Sequence, residues 1–416
     1  MRLKIKYHTV KILFLLLIIV IIGCKEKRST IVTPWGTKMT VDENGNTITD
    51  DTAEVNDVIS NIKQCGELIM LTLSGPDTYY EYHGRGMGLH YLLCEQLAKH
   101  LGVVLRVDVC KDSVELITRL KNREGDIIAY PMKKTDNADF ISCCEDWLVT
   151  KEYSNLADTI KKWYKSSMLT DIKQQQQRML LMGNVKRHVY PMMLAPSKGQ
   201  ISAYDNLFRK YATTAGVDWV MLAAQCYQES CFDPKAHSWA GACGLMQIIP
   251  STADHLSLPR SQMYEPEPNV AAAARLLREL QAQFKDISNP TERLKFSLAA
   301  YNAGYNHVRD AMALTKKYGG ITQRWPDVRK YILLLSNKEY YSDPVVRYGY
   351  MRGSETANYV DMIIERHQKY REALRTGKAI VSTVKNKNYN EDNYTDPVSS
   401  SLAAHRASKK NKWRKD

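Results

Sequence analysis

The apolar pattern of this chain changes period near residue 200, and that change limits what it can fold into. In the first part, short strand-like runs alternate with helix-spaced ones. Leu68-Ile69-Met70-Leu71-Thr72-Leu73 reads as a buried strand, while Leu89, Leu92, Leu93, Leu97 and Leu101 recur at helical spacing. Residues 103–109 alternate as a strand does, 114–120 suit a short helix, and Asp126-Ile127-Ile128-Ala129-Tyr130 suits another strand. This β-α-β-α-β order predicts a small parallel sheet with covering helices. From Ile201 onward the spacing is helical. Ile201, Tyr204, Phe208, Tyr211 and Ala215 mark one face, and helices are expected over 217–230, 270–284, 291–303 (closed by Gly304) and through 359–370. The fold class expected is therefore multidomain: a small α/β domain followed by a mainly α domain. At 416 residues the chain exceeds one ordinary core.

The N-terminus restricts the compartment. Arg2, Lys4, Lys6 and Lys11 precede the unbroken apolar run 12–22, which has signal-peptide length and is short for a membrane span. It ends in Ile21-Ile22-Gly23-Cys24, which resembles a bacterial lipobox. The resemblance implies that 1–23 is a lipoprotein signal peptide, that Cys24 is acylated, and that the rest works outside the cytoplasm. The alternative is an uncleaved membrane anchor with an incidental cysteine. Lys25-Glu26 points to the outer membrane, facing the periplasm. The net charge of +13 favours an anionic partner, and the compartment excludes nucleic acid. Of the 9 cysteines, those after Cys24 divide oddly: Cys65, Cys94, Cys110, Cys143 and Cys144, then Cys226, Cys231 and Cys243. No disulfide framework follows, and small buried hydrophobes serve equally well as a reading. Zinc-type spacing is absent.

Residues 24–60 read as a polar tether and 61–170 as the α/β domain. In that domain Gly86-Met87-Gly88-Leu89, Glu95-Gln96-Leu97-Ala98 with Leu101-Gly102-Val103, and Gly125-Asp126-Ile127-Ile128-Ala129 resemble the first lobe of the type 3 periplasmic solute-binding proteins. Trp147-Leu148-Val149 and 156–163 resemble that family's returning strand and closing helix. The family carries a second lobe between these parts; here only residues 131–146 stand there, too few to fold as one. A solute held by closure needs two walls, so this domain is expected to act as a spacer or docking module. His83-Gly84-Arg85-Gly86-Met87-Gly88 lacks the phosphate-cradle spacing and is expected to be a flexible turn. Residues 171–196 read as a linker, 197–374 as the helical domain, and 375–416 as a basic disordered tail.

Four blocks carry chemistry. In Ala223-Ala224-Gln225-Cys226-Tyr227-Gln228-Glu229-Ser230-Cys231-Phe232-Asp233-Pro234, the helix is expected to stop at Pro234. Glu229 then lies near the end of an apolar helix. The negative pole of the helix and apolar walls both oppose its ionisation, so it can stay protonated near neutral pH and donate a proton. The second block, 236–253, holds Ser238 and Gly241-Ala242-Cys243-Gly244-Leu245-Met246-Gln247, whose glycines permit close backbone approach. Met246 would offer an apolar contact and Gln247 an amide. The third is Ala300-Tyr301-Asn302-Ala303-Gly304; an aromatic beside an amide suits a sugar. The fourth is Gly353-Ser354-Glu355-Thr356-Ala357-Asn358-Tyr359-Val360.

In this order the four blocks resemble the lytic transglycosylases of the soluble-lytic-transglycosylase type, which share a lysozyme-like fold. The resemblance implies cleavage of peptidoglycan glycan strands between N-acetylmuramic acid and N-acetylglucosamine. It makes Glu229 the catalytic acid and base. Ser238, Met246, Gln247, Tyr301, Asn302 and Tyr359 would line the glycan cleft, with Ser230 and Glu355 supporting it. Most glycosidases flank the bond with two carboxylates; here only Glu229 occupies a motif, and Asp233 is expected to face the chain turn. The resemblance implies substrate assistance, a 1,6-anhydro product, and no metal or cofactor. The protein is expected to be a monomer. Two rival readings remain: a hydrolytic muramidase on the same fold, and a non-catalytic peptidoglycan-binding or sensing lipoprotein.

Overall fold

The computed structural model describes residues 29–32, 38–41, 58–132, 139–181, 185–378 and 380. The signal run, Cys24 and nearly all of the basic tail lie outside the described residues. No helix among the described residues is long and apolar enough to cross a membrane. The chain divides into two units. One gathers the described residues up to Thr72 with Leu93–Ser166, and the other joins Leu73–Leu92 to the described residues from Ser167 on.

The first unit is α/β, as its period suggested. Five strands lie in the order Val104–Cys110, Glu67–Leu73, Ile127–Ile128, Leu148–Thr150, Phe140–Ser142. Leu68, Met70, Leu71, Ile127 and Ile128 are fully buried, which explains their unbroken apolar run. The sheet is mixed where a parallel one was expected. Ile127–Ile128 runs parallel to Glu67–Leu73, but Leu148–Thr150 runs antiparallel to both of its neighbours. A parallel neighbour requires a crossover of about a dozen residues or more. The short link from Ser142 to Leu148 permits only reversal. The strand expected over 126–130 is just Ile127–Ile128, because Asp126 turns its carboxylate to the Ile69 N–H at 2.7 Å. Within the expected tether, Ser29–Val32 pairs antiparallel with Lys38–Val41.

The second unit is mainly helical. Its helices are Ser167–Leu181, Asp205–Ala215, Trp219–Ser230, Pro250–His255, Pro266–Gln283, Pro290–Ala303, Tyr305–Lys317, Trp325–Leu334, Lys338–Tyr341 and Gly353–Thr376. The first of these occupies part of the expected linker. Trp219–Ser230 is apolar almost all round because it lies inside the bundle, against Asp205–Ala215 and Gly353–Thr376. Phe208, Phe284, Phe296 and Tyr370 are fully buried in this core, each worth roughly 2–3 kcal/mol of burial. The described cysteines are all free thiols. Cys94, Cys110, Cys144, Cys226, Cys231 and Cys243 are buried, as small hydrophobes are.

The segment expected as a flexible turn is a β-hairpin of this second unit. Tyr80–Tyr82 pairs with Arg85–Met87, joined by His83 (φ 50°) and Gly84 (φ 74°). Two successive left-handed residues match the right-handed twist of the flanking strands. Tyr80, Tyr82 and Met87 bury one face against Met179, Leu180, Trp239 and Tyr350.

Candidate active site

The Glu229 helix starts at Asp218, whose side chain accepts the Met221 N–H at 2.9 Å. It ends earlier than Pro234 would require. Cys231 (φ 50°) and Phe232 (φ 65°) are both left-handed, and the Cys231 N–H closes the last turn on the Tyr227 carbonyl at 3.0 Å. Left-handed backbone costs a non-glycine residue about 1 kcal/mol. Burial of Phe232 between Phe208 and Tyr227 offsets it. The last helical turn thereby carries Glu229.

Glu229 is half-buried, with protein crowded round its carboxyl. The Tyr359 hydroxyl, from the Gly353–Thr376 helix, donates to Oε1 in a very short hydrogen bond. Gln225, one turn earlier on the Glu229 helix, donates to the Tyr359 oxygen at 3.3 Å. Burial pushes the carboxyl from 4.5 up to about 7; the Tyr359 hydrogen bond and the Arg187 charge oppose this but are outweighed. The Tyr301 and Tyr359 phenols are pushed well above their usual range, first by burial and then by the Glu229 charge, so both stay neutral. The structure thus brings Glu229, Tyr301 and Tyr359 together. Among the described residues, the groups that shift Glu229 are Tyr359 and Arg187. Asp233 accepts the Lys235 N–H of its own turn at 3.0 Å and, from a distant segment, the His188 N–H at 2.6 Å.

The other expected residues are each tied to neighbours in the fold. Met246 was expected to offer an apolar contact, but its side chain is fully buried in the core. Its backbone is what the site uses: the N–H donates to Asn269 Oδ1, and the carbonyl accepts from the Tyr301 hydroxyl, both at 2.8 Å. Gln247 was expected to offer its amide, yet it is buried with φ 49°, and Nε2 ties the loop to the carbonyls of Gly244 (2.9 Å) and Ala236 (3.1 Å). The tight turn at Gly244 explains this inward set: a Cβ there would lie 2.5 Å from the Met263 carbonyl oxygen. Ser230 is fully buried and donates to the Cys226 carbonyl. Ser238, half-buried, accepts the Ala242 N–H at 3.0 Å. Asn302 accepts from Thr356 at 2.8 Å, joining two helices. Glu355 is bound to Arg352 and to the hairpin's Tyr82 hydroxyl, both at 2.7 Å. Tyr82 also stacks on Trp239, beside Ser238, with ring centroids 5.9 Å apart. A surface cavity of about 720 Å³ lies elsewhere, along Tyr204, Leu207 and Tyr211.

Gln225, Thr356, Tyr82 and Arg187 were not foreseen. Gln225 carried a legible signal, since residues four apart share a helix face; the other three depend on long-range packing.

A carboxyl crowded at the end of a bundled helix and bound by a tyrosine from a second helix is an arrangement that can hold and pass on a proton. Residues 206–323 match the family described as Transglycosylase SLT domain. The chain is also similar to curated proteins named membrane-bound lytic murein transglycosylase F. The protein from Desulfosudis oleivorans is 41% identical over 174 residues, 42% of this chain and 37% of that one. The protein from Serratia proteamaculans is 42% identical over 163 residues, 39% of this chain and 32% of that one. The alignments thus span only about a third of those relatives' length. Among solved structures, the 70 kDa soluble lytic transglycosylase of Escherichia coli is 27% identical, covering 41% of this chain and 24% of its own, with a TM-score of 0.27. Domain 1 of TmArgBP, in its arginine-bound form, is 22% identical and covers 28% of this chain and 98% of its own, with a TM-score of 0.22.

Proposed function

We propose that this protein is a peptidoglycan lytic transglycosylase with Glu229 as its sole catalytic carboxyl. The observation that carries the reading is the half-buried Glu229, bound at Oε1 by Tyr359 and pushed up to about 7 by burial. Such a group is part protonated at neutral pH and suits both halves of an acid–base cycle. Tyr359 occupies Oε1, leaving Oε2 to carry the proton. Oε2 delivers it to the oxygen bridging N-acetylmuramic acid and N-acetylglucosamine, and the C1–O bond breaks. The 2-acetamido oxygen attacks C1 and holds the positive charge as a ring. The muramyl C6 hydroxyl then displaces it, giving its proton back to Glu229 and closing the 1,6-anhydro ring. Ser238, Tyr301 and Asn302, all half-buried, would meet the glycan. Ser230, Met246, Gln247 and Glu355 would shape the cleft from behind.

The lipobox-like Cys24 supports a lipid-anchored enzyme of the cell envelope, at the periplasmic face of the outer membrane, acting as a monomer. The five-stranded mixed sheet of the first unit supports a spacer or docking role. Micromolar binding of amino acids or muropeptides through that unit, seen by calorimetry, would contradict it. For the activity, purified sacculi should lose turbidity with wild type and not with Glu229→Gln. Equal clearing by both would exclude this reading, and clearing by neither would favour a non-catalytic wall-binding protein.

A further inference from the structure

We propose that Arg187 is a positioning residue for Glu229, clamping the carbonyl end of its helix so that the carboxyl is presented in one place. The inference rests on the reading of Glu229 as acid and base.

The last four carbonyls of a helix have no partner within it. Here each one is accounted for. The Tyr227 carbonyl takes the Cys231 N–H at 3.0 Å, and the Ser230 carbonyl takes the Asp233 N–H at 3.1 Å. The two between them go to Arg187: Nη1 donates to the Glu229 carbonyl at 2.8 Å and the Gln228 carbonyl at 3.3 Å. Arg187 is itself fixed by its neighbours. Lys186 and His237 exchange both backbone hydrogen bonds, at 2.9 and 3.1 Å, and the His188 N–H is held by the Asp233 carboxylate at 2.6 Å. Residues 186–188, which read as linker, therefore form a strap laid along the loop that follows Glu229. Arg366, from the Gly353–Thr376 helix, secures the adjacent Gln228 side chain at 2.9 Å.

The clamp has an electrostatic consequence. The groups facing the Glu229 charge are Tyr359 and Tyr301 from two other helices, Cys226 on its own helix, and Arg187 from the strap. Arg187 supplies positive charge at the negative pole of the helix, which would otherwise push the carboxyl higher.

The test uses the full-length protein with Arg187→Gln and Arg187→Lys. Turnover on purified glycan strands is measured against pH. The Glu229 carboxyl is titrated directly by infrared difference against Glu229→Gln. For Arg187→Gln, kcat should fall roughly tenfold with KM nearly unchanged. The titration and the alkaline limb of kcat should both move up by about half a pH unit. Arg187→Lys keeps the charge without the planar fork, so its titration should stay in place while kcat falls roughly threefold. Two results overturn the proposal: an unmoved titration in Arg187→Gln with wild-type kcat, or a lowered melting point with kcat per folded molecule unchanged. If Arg187→Gln does not fold, wild-type kcat in Arg187→Lys overturns the positioning claim. The titration needs no turnover, so a carboxyl that shifts as expected in a protein that cuts no glycan refutes the reaction and leaves the clamp standing.

Discussion

Replacing Glu229 by glutamine should stabilise the fold, and the gain should grow with pH. The carboxyl is raised from 4.5 to about 7 by burial. Between those values the native protein holds a proton that the unfolded chain has released. Wild-type stability is therefore full below about pH 4.5 and declines as the pH rises through about 7. At about 1.4 kcal/mol per pH unit, the raised carboxyl costs at most about 3 kcal/mol at alkaline pH. Water that reaches the half-buried side chain cuts this to roughly 2 kcal/mol. The neutral amide in Glu229→Gln carries no such cost, and its carbonyl oxygen still accepts the Tyr359 hydroxyl. The two proteins should melt together near pH 4, with the variant about 4–8 °C higher at pH 8.5. Thermal unfolding of both across that range measures the gap. A gap that does not change with pH would refute the argument that burial holds the proton on Glu229.

Two further outcomes follow from the same geometry. Tyr359→Phe removes the hydroxyl that favours the Glu229 anion, so kcat should fall roughly ten- to a hundredfold while its alkaline limb, near 7 in wild type, moves upward; an unmoved limb would mean that the hydrogen bond does not act on the carboxyl. Gly353→Ala would put a Cβ 1.7 Å from the Ile332 carbonyl oxygen, so urea unfolding should show a loss of roughly 3 kcal/mol, and wild-type stability would contradict that close approach.

How much was legible in advance can be judged residue by residue. The apolar run containing Glu229, and the change of period that separates the units, follow from burial that is local to each element. Glu229, Tyr301 and Tyr359 could be picked out because the motif blocks carry them at recognisable spacing. The inward set of Met246 and Gln247 was not legible, because it depends on Asn269 and on the crowding of Gly244 by Met263, both distant in sequence. The strands flanking His83-Gly84 were not legible either, because the burial of Tyr80 and Tyr82 needs Trp239 and Tyr350, both distant in sequence. Arg187 gave no signal at all. Its partners are two backbone carbonyls more than forty residues away, and carbonyls are the same at every position.

The central claim is that one carboxyl cuts the glycan strand without a second. Mass spectrometry of the ends released from purified sacculi tests it most directly. The account predicts 1,6-anhydro-muramyl ends from wild type and none from Glu229→Gln. Reducing muramyl ends from wild type would contradict it, because water would then have taken the place of the C6 hydroxyl.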